Sequence, residues 1–344
     1  MNSSFRAVPN SLNVRRRPTI KDVAAAAEVS ASTVSAVLNR TAPTSADVRE
    51  RVAKAVAELG YQAEAHARNL RRRTANAVGL VIPDPANPFF IEVALGVQSM
   101  ALESDMVVVL CATDEAAELD AYCAHLLRTR NVDGLIFTSG GHHFPGELSR
   151  LGSEVPLVLA DDLFTDAPYP FVGSDNRGGA QAAARLALDH GHRRIAIVAG
   201  PAGVWTAEQR LAGYLDELAK DGLAPVTVVR GDYRVPSGRQ ASVPIVESGA
   251  TAVLAANDLM AIGLIQSCLQ AGVRVPDDLS VIGFDDIPPA SYLAPQLTTV
   301  RQPGREIGRA AMNALLTWLA GHTPDNRHFL PTELVVRDTL GTPS

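Results

Sequence analysis

From Ala77 onward, eight short and continuously apolar runs alternate with amphipathic stretches. The runs are AVGLVI (77–82), MVVVLC (106–111), GLIFTS (134–139), PLVLA (156–160), RIAIVAG (194–200), VTVVR (226–230), TAVLAA (251–256) and LSVIGF (279–284). Segments of helical periodicity lie between most of them, among them 115–130, 177–190, 207–220 and 258–271. A strand that is apolar along its whole length has both faces covered, which marks a parallel sheet flanked by helices. Eight such strands suit two doubly wound lobes better than one sheet. The fold class expected is therefore α/β over most of the chain.

The N-terminal part follows a different pattern. Residues 1–17 are rich in Asn, Ser and Arg and read as a disordered basic tail. Ile20, Val23, Ala24 and Ala27 then fall at helical spacing, with Thr19 as cap and Asp22 three residues on. Ser30 can cap a second helix with Val34, Val37 and Leu38 inward, and Ser45 a third, carrying Val48, Val52, Val56 and Leu59 and ended by Gly60. Only Ala27, Glu28 and Val29 separate the first two, so the pair reads as a helix-turn-helix in an all-α head over 18–62.

Charge divides the chain at the same place. Residues 1–74 carry 13 Lys and Arg against 6 Asp and Glu, and the remainder carries 18 against 31. A basic head on an acidic body points to a polyanion partner for the head alone. In a helix-turn-helix the second helix enters the major groove of double-stranded DNA. Its outward residues here are Ala31, Ser32, Ser35, Ala36 and Asn39; Ser and Asn can bond to base edges and Ala can touch a thymine methyl.

The stretch PTIKDVAAAAEVSASTVSAVLN (18–39), followed by RERVAKAVAELGY (49–61), resembles the head of the lac repressor (LacI/GalR) family of bacterial regulators. AEAHARNLRRR (63–73) is similar to that family's hinge helix. Further matches follow in order: IPDPANPFF (82–90), NVDGLIF (131–137), HGHRRIAIVAGP (190–201), TAEQRLAGY (206–214), AANDLMAIG (255–263), VPDDLSVIGFDD (275–286), LTTVRQP (297–303) and LPTELVVRDT (330–339). The resemblance spans 18–340, and the order and separation of its motifs make it specific.

This resemblance implies a two-lobed periplasmic-binding-protein-like body over 76–344, with a small-molecule effector in the cleft and three crossovers near Asp175, Arg301 and Thr332. Lobe one is then about 76–175 and 302–332, and lobe two about 176–301 and 333–344. It implies a ligand-controlled regulator, expected to be a repressor, that binds a palindromic operator as a homodimer. A hinge helix and linker over 63–75 would order on DNA, with Leu70 wedged into a base step and Arg68 and Arg71 near phosphates. Thr19 and Thr33 join the DNA-contacting set on the same basis. No heptad-bearing tail follows LPTELVVRDT, so no tetramer is expected. Members usually carry Gly at the position of Glu28; if that position is left-handed, a side chain there costs roughly 1 kcal/mol. They often carry Arg at Ala36, so one base preference does not carry over.

The expected cleft residues sit near strand carboxyl ends, where open α/β sheets bind ligands. They are Phe89 and Phe90 after the first strand, Asp161 after PLVLA, Trp205, Thr206 and Arg210 in the loop after RIAIVAG, Asn257 after TAVLAA, and Asp285 after LSVIGF. Aromatic faces with Arg, Asp and Asn describe a site for a carbohydrate, a sugar or sugar derivative. For Arg210 and Asp285 the competing reading is a structural salt bridge, and for Phe89 and Phe90 it is plain core packing. Asp258 reads equally as a helix cap.

Other readings are weaker. A transport solute-binding protein shares the body fold, but it would carry a signal peptide and no helix-turn-helix; the N-terminus here has no apolar signal core. No G-x-G-x-x-G follows the first strand, and no P-loop, G-x-S-x-G or H-E-x-x-H is present, so no enzyme is expected. Cys111, Cys123 and Cys268 are odd in number and lack metal-ligand spacing, which reads as free thiols in the cytoplasm. His142 and His143 are adjacent and His190 and His192 lie in a loop, so all four read as solvated or hydrogen-bonded. No metal, cofactor or membrane partner is expected.

Overall fold

The computed structural model describes residues 18–39, 42–61, 74–112, 116–138, 146–150, 155–164 and 167–343. The tail 1–17, the hinge stretch with Arg68, Leu70 and Arg71, and the pair His142 and His143 lie outside these residues, as does the side chain of Asn39. The chain divides into two units, Met1–Arg73 and Thr74–Ser344.

The first unit holds α1 (Ile20–Ala26), α2 (Ala31–Asn39) and α3 (Ala46–Leu59). Local chemistry sets their ends. Thr19 and Asp22 form a reciprocal capping box, with Thr19 N donating to Asp22 Oδ2 at 2.6 Å. Thr33 N donates to Ser30 Oγ at 3.1 Å, and Val48 N to Ser45 Oγ at 3.3 Å. Glu28 turns the chain between α1 and α2 at φ 53°, and Gly60 ends α3 at φ 62°. Val23, Ala24, Ala27, Val34, Val52 and Ala55 form the core. Two inward expectations fail: Leu38 and Leu59 are exposed, each in the last turn of its helix, because so small a unit cannot cover its helix ends. Ala31, expected outward, packs against the core.

The second unit has two parallel sheets. The first contains β1 (Ala77–Val81), β2 (Val107–Cys111), β3 (Gly134–Thr138), β4 (Leu157–Ala160), β5 (Phe171–Ser174) and β11 (Arg327–Leu330), in the order β11-β5-β4-β3-β1-β2. The second contains β6 (Ile195–Ala199), β7 (Thr227–Arg230), β8 (Ala252–Ala255) and β9 (Ser280–Ile282), in the order β7-β6-β8-β9. A short antiparallel pair, β10 (Thr299–Arg301) and β12 (Glu333–Val335), is joined to β9 by the bridge between Ile282 and Thr298. Each sheet has an apolar cluster on both faces. The chain passes from the first sheet to the second after Ser174, returns after Arg301, and crosses again after Leu330.

In the first lobe α4 (Pro88–Glu103) lies against α11 (Gly304–Leu319), so closely that a Cβ on Gly308 would fall 2.0 Å from Val93 O. Among the described residues, the remaining α-helices of the body are α5 (Ala116–Arg128), α6 (Gly146–Ser149), α7 (Asn176–Asp189), α8 (Trp205–Lys220), α9 (Val235–Glu247) and α10 (Asp258–Gln270). Among the described residues no helix is long and apolar enough to cross a membrane. Cys111, Cys123 and Cys268 are buried.

Candidate functional site

The head presents Ser32 exposed and Thr33, Ser35 and Ala36 half-buried on α2, with Thr19 exposed at the start of α1. Ser30 Oγ lies 2.7 Å from both Ser32 Oγ and Thr33 Oγ1. These three hydroxyls thus hold one another at the N-terminal turn of α2, the end that a recognition helix turns to DNA.

In the body, residues from both lobes converge on Arg210. It lies on the second turn of α8, and Trp205 and Thr206 on the first. The loop expected for these three residues is a helix, because the turn at Pro201–Gly203 is short and Val204 already stands as N-cap. Arg210 is buried; its Nε donates to Asn176 Oδ1 at 2.7 Å and its Nη1 to Ala256 O and, at 3.3 Å, to Asp285 Oδ1. The guanidinium lies 4.0 Å from the Phe284 ring centroid and 5.8 Å from that of Tyr233. Gln302 Nε2 donates to the same Asp285 oxygen at 2.7 Å.

Lobe one contributes Asp161 and Asp162 just past β4, both buried. Asp162 Oδ1 accepts from Thr206 N at 3.2 Å, a bond between the lobes. Across the same gap Arg234 pairs with Asp84 at 3.2 Å. Asp161, at φ 67°, Tyr233, at φ 67°, and Asp285, at φ 120°, all adopt backbone conformations that side chains other than glycine rarely take. Such strain gathers where surrounding structure enforces it, commonly at binding sites.

Burial pushes the Asp161 carboxyl up to about 7, with Arg210 pulling the other way. Burial and then the neighbouring Asp161 charge push Asp162 up to about 8. Asp285 is raised to about 6 by burial, held back by Arg210. Burial opposes the charge on Arg210, but Tyr233, Asp285 and Asp161 outweigh it and keep the guanidinium protonated. Asp161 Oδ1, Asp162 Oδ2 and Gln302 Oε1 are buried with no hydrogen-bond partner.

The remaining expected residues divide. Asn257 is the N-cap of α10, accepting from Met260 N at 3.0 Å and donating to Tyr233 O at 2.9 Å. The cap considered for Asp258 therefore falls one residue earlier. Asp258 is itself buried and accepts from Thr299 Oγ1 and Ile287 N. Trp205 packs edge-on to Phe171, at 5.6 Å, and against Phe329, at 6.2 Å. Phe89 and Phe90 both belong to the lobe-one core and meet edge to face at 5.3 Å. A cavity of about 580 Å³ beside the crossovers takes in Phe89, Asp285, Gln302, Tyr292 and Arg301. His192 is buried between Thr251 Oγ1 and Gly341 O, each at 3.0 Å, and His190 bonds to Leu186 O at 2.8 Å, so both are hydrogen-bonded. Among the described residues no cluster suits a metal ion.

Asp162, Asn176, Tyr233 and Gln302 were not foreseen. The doubled Asp after PLVLA was a usable signal for Asp162. Nothing local marks Tyr233, whose place depends on its backbone conformation.

Comparison with known proteins gives consistent matches. Residues 19–64 match the family described as bacterial regulatory proteins, lacI family, and residues 184–340 match the periplasmic binding protein-like domain. The chain is 36% identical over 324 residues to the ribose operon repressor of Halalkalibacterium halodurans, covering 93% of this chain and 96% of that protein. It is 32% identical to the transcriptional repressor CytR of Escherichia coli K12, over 93% of this chain and 95% of that one. It is similar in structure to the lac repressor dimer bound to operator and the anti-inducer ONPF, with a TM-score of 0.85 at 29% identity, covering 94% of this chain and 99% of that one.

Proposed function

Because this chain belongs to the lacI family of bacterial DNA-binding transcription regulators, we propose that it is a repressor whose grip on a palindromic operator is set by a sugar or sugar derivative held between its two lobes. The observation that carries the effector reading is the group of buried polar atoms without partners where the lobes meet around Arg210. Buried polar groups normally find partners, and a ligand held there would supply the ones these atoms lack. Family membership carries the reading over a transport solute-binding protein.

On this reading α2 enters the major groove, with Thr19, Ser32, Thr33, Ser35, Ala36 and Asn39 toward DNA and Ala31 partly committed to the core. Arg68, Leu70 and Arg71 act from the hinge. The effector contacts are Asp161, Thr206, Arg210 and Asp285, with Phe89 and Trp205 offering apolar surface and Asn257 and Phe90 serving chiefly as supports.

The active species is a homodimer. β2 is an edge strand whose Val107 and Leu110 are exposed, and α4 exposes Ile91, Leu95 and Leu102. A bare apolar edge strand invites pairing unless it is covered, and a second copy covers it. The test is a gel shift on promoter DNA beside the chain's own gene, with and without sugars. A symmetric footprint whose affinity changes with a sugar supports the proposal; failure to bind that DNA specifically rejects it.

A further inference from the structure

Two polar contacts bridge the lobes across the cleft, and one of them stands outside the binding group around Arg210. Asp84, just past β1, accepts from Arg234 Nε, at the N-cap of α9, at 3.2 Å. Each partner is held by its own lobe. Asp84 Oδ1 accepts from Ala86 N at 2.9 Å, which leaves Oδ2 for the arginine. Arg234 N donates to Asp232 Oδ1 at 3.0 Å, and Arg234 O accepts from Ser237 Oγ at 2.9 Å. Neither end can follow the other when the lobes part, so parting breaks the pair.

The residue beside Arg234 turns the other way, toward the site. Tyr233 sits at φ 67°, where a side chain is strained. Its ring lies 5.8 Å from the Arg210 guanidinium and its hydroxyl 3.4 Å from Thr206 Oγ1. A Cβ on Gly200 would fall 2.6 Å from Tyr233 Cζ, so the ring is backed on that side. The peptide joining the two residues is clamped at both ends: Tyr233 O accepts from Asn257 Nδ2 at 2.9 Å, and Arg234 N donates to Asp232. A push on the Tyr233 ring is therefore passed on to Arg234.

Building on the effector reading above, we propose that Asp84 and Arg234 form a clasp that favours the closed arrangement of the two lobes, and that Tyr233 ties this clasp to the state of the cleft.

Magnitude decides what such a clasp can do. The Arg234 side chain is 57% exposed and that of Asp84 25%, so water and salt screen the pair. A pair of this kind shifts an equilibrium about 2- to 5-fold. A full switch needs roughly ten-thousand-fold, so the clasp cannot lock the lobes by itself. It suits a contact that a molecule in the cleft reinforces or releases. Asp84 and Arg234 act through lobe closure and are positioning residues.

Thr206 supplies the gauge for the test. It is the second residue of α8, where an amide has no acceptor within the helix. Its partner is Asp162 Oδ1, across the gap at 3.2 Å. Hydrogen exchange at this amide therefore reports parting of the lobes, and the amides of the central strand β6 report unfolding of lobe two. Exchange is measured at single residues on the full chain without ligand, for the parent, Asp84→Asn, Arg234→Met and the two combined. Each single variant is expected to speed Thr206 exchange about 2- to 5-fold with β6 unchanged, and the combination to go no further than either. In 1 M salt the gap between parent and variants should shrink. Unchanged Thr206 exchange, additive single effects, a gap indifferent to salt or an equal rise at β6 overturns the clasp. A cycle with Tyr233→Ala tests the tie: Asp84→Asn should then add less than it does in the parent, and an equal increment overturns the role of Tyr233. No effector enters these measurements. Their failure leaves the effector reading standing, and failure of that reading, an operator affinity that no sugar changes, leaves the Thr206 result as it is.

Discussion

Arg210 and Asp285 form a buried ion pair, Nη1 to Oδ1 at 3.3 Å, with each side chain 4% exposed. The two residues were candidates for ligand contacts or for a structural salt bridge, and their geometry serves both: the pair is made within the protein while its neighbours remain unfilled. Removing one member leaves the other charged, buried and alone, which typically costs about 3–5 kcal/mol. Arg210→Ala and Asp285→Ala should therefore each lower stability by that order, and the paired change Arg210→Met with Asp285→Asn should cost less than their sum. Urea denaturation measures this. Single variants as stable as the parent would show that the pair does not support the fold.

The raised carboxyls give a definite sign to pH dependence. Asp161 and Asp162 sit at about 7 and about 8 in the folded chain, above their unfolded values. The folded state therefore holds more protons than the unfolded state through that interval. Stability contributed by these groups is fully present below about pH 4 and is lost as pH rises through 7 and 8. Without ligand, this contribution should fall across that window, and Asp162→Asn should flatten the fall. Denaturation midpoints measured from pH 5 to pH 9, parent against variant, check it. Equal slopes would remove Asp162 from the account. A ligand that donates to the ionised carboxylates should bind with proton release, visible as a dependence of binding heat on buffer.

Glu28 occupies the helix-turn-helix turn at φ 53°, where a side chain costs roughly 1–2 kcal/mol relative to glycine. Glu28→Gly should raise the stability of the head by about 1 kcal/mol and leave the cap at Thr19 intact. Hydrogen exchange of the amides of α1 and α2 reads this locally; slower exchange is expected.

The exposed strand β2 and helix α4 make the assembly testable. Leu110→Lys on β2, or Leu102→Glu on α4, places a charge on the surface proposed for the second copy, at positions that are 51% and 68% exposed. Folding should survive, since neither side chain is in the core. Sedimentation should show a shift from dimer toward monomer, and operator affinity should drop at least ~10-fold because one head reads only a half-site. A variant that stays dimeric moves the interface elsewhere.

Much of the architecture was legible in the sequence because it rests on local rules. Continuous apolar runs specify buried parallel strands, and all eight expected runs are strands. Caps at Thr19, Ser30 and Ser45 need only neighbours within a turn. What stayed hidden depends on distant residues. β5, β10, β11 and β12 are three or four residues long and read as polar or broken by glycine, so only their partners make them strands. The cleft follows the same division. Arg210 and Asp285 could be named from position along the chain, but their mutual contact, the orientation of Gln302 and the arrival of Tyr233 beside Arg210 join residues far apart in sequence and arise only in the folded body.

The three crossings between sheets affect how the chain is made. α11 and β11 complete the first lobe, and β12 with the segment to Gly341 completes the second, where Val281 N bonds to Thr339 O at 2.8 Å and Gly341 O receives His192. On the ribosome, the head emerges and can fold early, while the first lobe is incomplete until β11 has been synthesised and the second until the residues beyond Leu330 have followed. An interrupted chain would carry a DNA-reading head with no closed cleft to govern it, which gives quality control a reason to remove such fragments.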